Sequence, residues 1–315
     1  MSVPPIQESA ASRTMLHMVA KLHYETEMSQ VDIARRLGVS TATISRMLHR
    51  ARAEGIVRIE VIDLISSEEI TAELVKRLGL KTAAVIDTPN SGVLGALATP
   101  LGSLLKEAGL RANSVLGIGW GRAIREVILA GLPRIPGIVT VPMTGGMQQP
   151  APHFQINEFV RQAAEQLGGT PHFLHAPYLS SPELRDAFLN DPTVMETVAM
   201  WDRMDVAIVG VGLPHAINPP EASAATPNEQ ALHQVAGDVI RHYFDGTGEI
   251  LHWDGEDRMI AASPKQLAAT PLVIGVAAGA EKALGIVGAV RSKMINALVT
   301  DTKTAQAILD RLSSV

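Results

Sequence analysis

The stretch SQVDIARRLGVSTATISRMLHRARAEG, residues 29–55, decides the fold of the N-terminal part of the chain. Ser29 is a typical residue before the start of a helix, and Asp32 follows it at capping-box spacing. Gly38 suits a helix end, because glycine readily adopts the left-handed conformation found there. Ser40 is a second typical cap. The pattern therefore predicts helices over 30–37 and 41–54, after an amphipathic helix over 13–25.

Apolar residues in this stretch predict a wedge between two crossing helices, with the small Ala34 at the crossing: Ile33, Leu37, Val39, Ile44 and Leu48. The outer face of the last helix carries short hydroxyls and cations: Thr41, Thr43, Ser45, Arg46, His49 and Arg50. Such side chains can contact phosphates and base edges in the DNA major groove. The pattern predicts a helix-turn-helix that binds operator DNA. The alternative is a helical hairpin with no role in DNA binding.

The charge distribution favours the DNA-binding interpretation. The chain has 315 residues and a net charge of −5, but residues 1–62 carry eight Lys/Arg against six Asp/Glu. Residues 33–58 contain six arginines and one acidic residue. A basic face on an acidic protein is compatible with nucleic-acid binding, although a solvated helix face would show the same charges.

Residues 55–62, GIVRIEVI, alternate and are β-branched. They predict a strand that forms a small wing or leads into the next domain. We therefore expect a winged-helix-like DNA-binding domain over 1–62 and a second domain over 63–315.

The composition excludes several classes of protein. The chain has no cysteine, which excludes disulfides and cysteine-ligated metals and fits a reducing compartment. No apolar run is long enough to span a bilayer, and the N-terminus lacks a signal-peptide pattern. We expect a soluble, cytoplasmic protein without a membrane partner.

Beyond residue 81, β-branched runs alternate with helical patterns, which predicts an α/β domain around a mostly parallel sheet. The predicted strands are 83–87, 115–119, 138–142, 172–175, 206–210, 272–276 and 297–300. The predicted helices are 66–80, 92–109, 122–131, 155–167, 182–200, 229–242, 264–269, 280–290 and 302–312. Ligands of such sheets bind beyond the carboxyl ends of the strands.

Glycine-rich segments follow several of these strands. VLGIGWGRAI, residues 115–124, contains Gly119, Gly121 and Arg122, where a helix N-terminus and a cation favour an anion. Its spacing departs from the dinucleotide fingerprint, so we expect phosphate and not NAD. A tight strand–helix turn without a ligand is the alternative.

Three further segments are candidates. VPMTGGM, residues 141–147, also places paired glycines after a strand. Asp245, in YFDGTGEIL, could accept sugar hydroxyls, although an ordinary hairpin turn explains it equally well. Lys282 lies in the first turn of a helix and could pair with phosphate, whereas a Schiff base would require desolvation. We expect no metal site and no cofactor.

The chain resembles the SorC-type sugar-binding transcriptional regulators along nearly its whole length. The resemblance rests on DIARRLGVSTATISRML, GIGWGRAI and AAGAEKALGIVGAVRSKMINALVTDTKTAQAIL. It implies a Rossmann-like effector domain, similar to sugar isomerases and CoA transferases, that binds a phosphorylated sugar. It also implies homotetramers assembled as dimers of dimers. The residues it assigns to the ligand are Gly119, Gly121 and Arg122 for the phosphate-side loop, Gly145 and Gly146 for the second loop, and Asn157, Asp245 and Lys282.

These observations predict a ligand-responsive repressor of a carbohydrate operon. Family members with covalent capture of an aldehyde carry a lysine before the paired glycines, where this chain has Met143 and Thr144, so we expect non-covalent binding. The alternative is a sugar-phosphate isomerase or deaminase with a DNA-binding head. Both readings require the phosphate loop, so that loop does not discriminate between them.

Overall fold

The computed structural model describes residues 8–57, 67–88, 92–147, 151–214 and 225–313, with side chains from residue 13 onward. The chain divides into two compact units, Met1–Leu64 and Ile65–Val315. Residues 55–57 form turns instead of the start of a strand. The remainder of the strand predicted over 55–62, and the predicted boundary at 62/63, lie outside the described residues.

The first unit is a helix-turn-helix. Its helices are α1 (Glu8–Tyr24), α2 (Gln30–Leu37) and α3 (Thr41–Ala53). The Ser29 hydroxyl accepts the backbone N–H of Asp32, and the Ser40 hydroxyl accepts that of Thr43, both at 3.1 Å. Gly38 ends α2 in the left-handed conformation, with φ 67°. The caps predicted at Ser29, Gly38 and Ser40 are confirmed, and the Asp32 carboxylate accepts the Ser29 hydroxyl at 2.6 Å.

The core of this unit contains the predicted wedge with one exception. Ile33, Ile44 and Leu48 are buried and pack with Val19 of α1. The prediction for Val39 is wrong, because its side chain is 39% exposed. The left-handed Gly38 redirects the chain before α3 begins, and Val39 lies in that turn outside the helix–helix contact.

The second unit is built on a parallel sheet. Its strands are β1 (Thr82–Ile86), β2 (Val115–Ile118), β3 (Val139–Pro142), β4 (Thr170–Pro171), β5 (Val206–Gly210), β9 (Leu272–Val276) and β10 (Ala297–Asp301). Their order is β1-β10-β9-β5-β2-β3-β4, and every pair is parallel. From β2 the chain proceeds outward through β3 and β4, whereas from β5 it proceeds the other way. The topological switch point therefore lies between β2 and β5, where ligands bind in open α/β sheets.

Helices cover both faces of this sheet. They are α4 (Ser67–Leu78), α5 (Val93–Ala96), α6 (Ala98–Glu107), α7 (Arg122–Ala130), α8 (Ile156–Leu167), α9 (Pro182–Leu189), α10 (Pro192–Ala199), α11 (Pro227–Gln230), α12 (Pro264–Ala269), α13 (Ala283–Arg291) and α14 (Thr302–Ser313). Alternate residues of β5 enter different layers: Ala207 and Val209 pack with α4, α13 and α14, whereas Val206 and Ile208 pack with α6, α7 and α8. This alternation is the period-two geometry of a strand buried on both faces.

Three sequence predictions in this unit are wrong. The fourth strand ends at Pro171, so 172–175 is not a strand. The helix predicted over 182–200 is two helices, because Asp191 caps a new one that begins at Pro192. The segment 229–242 is not one helix: 229–230 end a short helix, 231–236 are irregular, and 237–242 begin a β-hairpin. This hairpin belongs to a small antiparallel sheet of β6 (Gly237–Val239), β7 (His242–Phe244) and β8 (Ile250–Leu251).

Among the described residues, we find no helix with both the length and the apolar character needed to cross a membrane.

Candidate functional site

A cavity of about 780 Å³ opens at the switch point of the parallel sheet. Residues 120–123 after β2 and 210–213 after β5 form two of its sides. Residues 278–282 after β9, together with Asp301 of β10, form another. The small sheet contributes Asp238, Ile240 and Arg241. The carboxyl ends of four neighbouring strands thus meet in one concave site.

Two cations enter this cavity from helix N-termini. Arg122 is the first residue of α7, directly after Gly121 at φ 120°. Lys282 immediately precedes α13, and its Nζ donates to the carbonyl oxygen of Val211 at 2.7 Å. Because the N-terminus of a helix carries partial positive charge, both positions favour an anion.

The pKa of Lys282 lies below its ordinary value. Burial is the main cause, and the Arg122 guanidinium lowers the pKa further, while the carboxylates of Asp238 and Glu281 oppose the shift. Two cations that repel each other in a partly dehydrated cavity are stabilised by a bound anion. This electrostatic arrangement suits a phosphate or carboxylate group of a ligand.

Asp238 gives the cavity an acceptor for hydroxyl groups. Its Oδ2 accepts the backbone N–H of Arg241 at 3.1 Å, and its carboxylate lies against Gly212. A Cβ on Gly212 would lie 1.8 Å from Asp238 Oδ1. The Asp238 carboxylate can therefore lie here only because residue 212 is glycine. A carboxylate beside cations offers a ligand both hydroxyl acceptors and anion contacts.

Three of the sequence-predicted ligand residues line this cavity: Gly121, Arg122 and Lys282. Gly119 lies next to its wall, at the end of β2, where its N–H donates to the Ile208 carbonyl oxygen at 2.8 Å. A Cβ there would lie 3.2 Å from that same oxygen, so Gly119 serves the contact between β2 and β5.

The structure does not bring the paired glycines to the cavity. The N–H of Gly145 donates to Ile260 O, and that of Gly146 to Ala176 O, both at 2.8 Å. A Cβ on Gly145 would lie 2.4 Å from the carbonyl oxygen of Pro177. These glycines allow two backbone segments to approach each other, and their amides are already used by carbonyl groups.

Asn157 and Asp245 also lie outside the cavity lining. The Asn157 side chain makes two 3.1 Å hydrogen bonds to the backbone of Leu174. The Oδ1 of Asp245 accepts the hydroxyl and N–H of Thr247 and the N–H of Glu249. These bonds, that of the Thr247 hydroxyl foremost, lower the pKa of Asp245. Asp245 therefore closes the β7–β8 hairpin, the alternative that the sequence had left open.

Asp238 and Arg241 were not predicted as site residues, because their segment was expected to be helical. The available signal was GDVIRHYF, residues 237–244, in which β-branched and aromatic residues precede a DGTG turn. If this segment had been interpreted as two antiparallel strands, the sequence would have predicted a polar hairpin after β5.

The candidate DNA-binding face lies on α3. Thr41, Ser45, Arg46, His49 and Arg50 are exposed, whereas Thr43 is half-buried, with its hydroxyl 2.8 Å from that of Ser40. Arg46 Nε donates to the carbonyl oxygen of Ala42 at 3.4 Å, and Arg50 pairs with Glu54 at 2.6 Å. Exposed pairs of this type contribute little stability, so DNA phosphates can compete for both guanidinium groups.

Comparisons with known proteins identify the class of protein to which this chain belongs. The family "Putative sugar-binding domain" matches residues 63–310, and the family "Sigma-70, region 4" matches residues 21–54. The first match covers most of the chain. The chain belongs to this sugar-binding domain family.

Relatives of this chain carry the names of regulators. The sorbitol operon regulator of Klebsiella pneumoniae is 29% identical over 96% of this chain and 99% of its own length. The deoxyribonucleoside regulator of Bacillus subtilis is 26% identical over 93% of this chain and 96% of its own length. The crystal structure of full-length SorC from Klebsiella pneumoniae superposes with a TM-score of 0.70, covering 95% of this chain and 99% of that chain.

These comparisons confirm three predictions from the sequence. The chain is similar to SorC-type regulators, its fold is a helix-turn-helix joined to a sugar-binding α/β domain, and its function is ligand-responsive regulation of transcription. The comparisons assign no role to an individual residue of either site.

Proposed function

We propose that this protein is a cytoplasmic repressor of a carbohydrate-utilisation operon whose effector is a phosphorylated sugar or polyol. One observation in particular supports a phosphorylated, hydroxyl-bearing effector. Arg122 and Lys282 enter the switch-point cavity at two helix N-termini, and Asp238 lies in the same cavity. Cations at helix N-termini suit a phosphate, and a carboxylate suits sugar hydroxyls.

We assign the two activities to the domains that the sequence predicts. Residues 1–62 bind operator DNA through α3, with Arg46 and Arg50 as the long cationic side chains. Residues 63–315 bind the effector and assemble the protein as a homotetramer, a dimer of dimers. Because two-fold symmetric regulators bind two-fold related half-sites, we expect a palindromic operator.

We assign no catalytic activity to the cavity. Two relatives carry the names of regulators, which supports binding without turnover. The sugar-phosphate isomerase or deaminase that the sequence left open would consume its ligand. Incubating a small amount of the protein with excess pentose and hexose phosphates and following them by ³¹P NMR separates the two, since a regulator produces no new phosphorus resonance.

The test of the effector class is a pair of titrations by calorimetry with sorbitol 6-phosphate and sorbitol, followed by deoxyribose 5-phosphate and deoxyribose. These probes follow the names of the two relatives. We expect one phosphorylated member to bind at least ten-fold more tightly than its free partner. The matched control is Arg111→Ala, which removes an exposed cation far from the cavity lining, whereas Arg122→Ala should remove the preference. Equal binding of phosphorylated and free forms would contradict the proposal.

A further inference from the structure

A buried polar cluster lies behind one wall of the cavity. It consists of Glu229, Arg241, Tyr178 and Tyr243, all essentially inaccessible to solvent. Glu229 Oε1 accepts the hydroxyls of Tyr243 at 2.9 Å and Tyr178 at 3.1 Å, and it lies 3.3 Å from Arg241 Nη1. Arg241 Nη1 also lies 3.1 Å from the Tyr243 hydroxyl. Both tyrosine hydroxyls thus bond to Glu229, which forms an ion pair with Arg241.

The protonation states of this cluster follow from its burial. Burial first, and the Glu229 carboxylate second, raise the pKa of Tyr178 above its ordinary value. Burial also raises that of Tyr243. Both tyrosines therefore stay protonated and donate to Glu229. An ion pair buried this deeply loses its hydration, and apolar side chains of the same volume are often equally stable. Fold stability alone is therefore a weak reason for a charge at position 241.

The backbone around Arg241 is strained. Ile240 and Arg241 form the two-residue turn between β6 and β7, with φ 43° and φ 70°. Turns of this type favour Asn-Gly, because both residues require positive φ. A β-branched residue with positive φ is an outlier, and such strain concentrates at functional sites. Ile240 and Arg241 both line the cavity.

Arg241 contacts two walls of the cavity in two different ways. Its backbone N–H donates to Asp238 Oδ2 at 3.1 Å. Its guanidinium carbon lies 5.0 Å from the centroid of the Trp120 ring, within cation–π distance. Asp238 and Trp120 line the cavity on the small sheet and on the loop after β2, respectively. One residue thus fixes the carboxylate and the aromatic ring together.

We propose that Arg241 is a positioning residue of the effector site, which holds Asp238 and Trp120 for the hydroxyl-bearing part of the ligand, while Arg122 and Lys282 bind its anionic group. The position of Arg241 is itself fixed by Glu229 and by the strained two-residue turn. This inference rests on the proposed function. It predicts that loss of Arg241 weakens recognition of the sugar and leaves recognition of phosphate intact.

The test uses the double variant Arg241→Met/Glu229→Gln, because removing Arg241 alone would leave the Glu229 carboxylate buried without its cation. This variant removes the guanidinium beside Trp120 and keeps the backbone N–H that Asp238 accepts. A second variant, Ile240→Gly, relaxes the turn and leaves every charge in place. Arg77→Met is the matched control, since that guanidinium binds Leu309 O and Ser313 Oγ away from the cavity.

The first measurement needs no ligand. The chain contains three tryptophans, and 5-fluorotryptophan labelling gives each a ¹⁹F resonance, with that of Trp120 identified from Trp120→Phe. We expect the double variant to shift or broaden the Trp120 resonance and to leave Trp201 unchanged, whereas Trp253, which packs with Tyr178 and Tyr243, is not a suitable reference. An unchanged Trp120 resonance would contradict the proposal. A change at Trp201 as large as that at Trp120 would also contradict it, since that result indicates a general structural role.

The second measurement compares dissociation constants for sorbitol 6-phosphate and inorganic phosphate. In both variants we expect at least a ten-fold loss for the sugar phosphate and less than a two-fold loss for inorganic phosphate. Equal losses for the two probes would overturn the assignment. If the wild-type protein bound none of inorganic phosphate, sorbitol 6-phosphate and deoxyribose 5-phosphate, the proposed function would fail, and the fluorine spectrum of the ligand-free protein would still decide the role of Arg241.

Discussion

Replacing Gly212 by alanine tests the geometry of the effector cavity most directly. The added Cβ would lie 1.8 Å from Asp238 Oδ1, whereas ordinary contacts begin at 3.4 Å, so the carboxylate must move by about 1.6 Å. The backbone of Gly212 has no positive φ that would make alanine strained in itself. The three heavy atoms nearest to the added Cβ all belong to Asp238, so the perturbation acts first on this carboxylate.

The expected loss follows from the hydrogen bonds that Asp238 would no longer make. A shift of this size breaks its 3.1 Å bond from the Arg241 N–H and removes its oxygens from the ligand's hydroxyls. A hydrogen bond to a charged group contributes about 1.5–3 kcal/mol. We therefore expect Gly212→Ala to weaken sugar-phosphate binding by about 10- to 150-fold.

Calorimetry with the best-binding sugar phosphate measures this loss, and Gly210→Ala is the matched control. Gly210 lines the same cavity, but a Cβ there would lie 3.6 Å from Trp120 O, an ordinary contact. We expect Gly210→Ala to bind within about two-fold of the wild type. If Gly212→Ala bound as tightly as the wild type, or if both variants lost affinity equally, Asp238 would not be a ligand contact.

Two further predictions concern charge and capping. The pKa of Lys282 is lowered, and only its protonated form attracts an anion. Sugar-phosphate affinity should therefore fall as the pH rises through that lowered pKa, which lies below the ordinary lysine value of about 10.4. Titrations between pH 7.5 and 10 measure this fall. Lys282→Arg should abolish it, because arginine stays protonated over this range. Ser40→Ala removes the oxygen that accepts the Thr43 N–H, so hydrogen exchange of the α3 amides should report a loss of about 1 kcal/mol, which Ser40→Asp should restore. Unchanged exchange in Ser40→Ala would show that the cap does not stabilise α3.

The sequence determined the helix-turn-helix because its signals are local. Ser29, Gly38 and Ser40 act on backbone groups within three or four positions, so their roles could be predicted without knowledge of the fold. The same holds for Gly121 and Arg122, which begin a helix directly after a strand. Val39 was mispredicted because burial in a turn depends on the direction in which the chain leaves it.

The ligand cavity illustrates the opposite case. Asp238 faces Lys282, 44 positions further along the chain, because the hairpin of β6 and β7 packs on α13. Asp245 carries the same side chain in the adjacent β7–β8 hairpin of the same small sheet and yet bonds to its own turn. Whether a carboxylate closes a turn or faces a cavity depends on what packs against it. The sequence by itself therefore determined the local elements and the glycine–arginine loop after β2, whereas only the tertiary structure decided which charged side chains share one site.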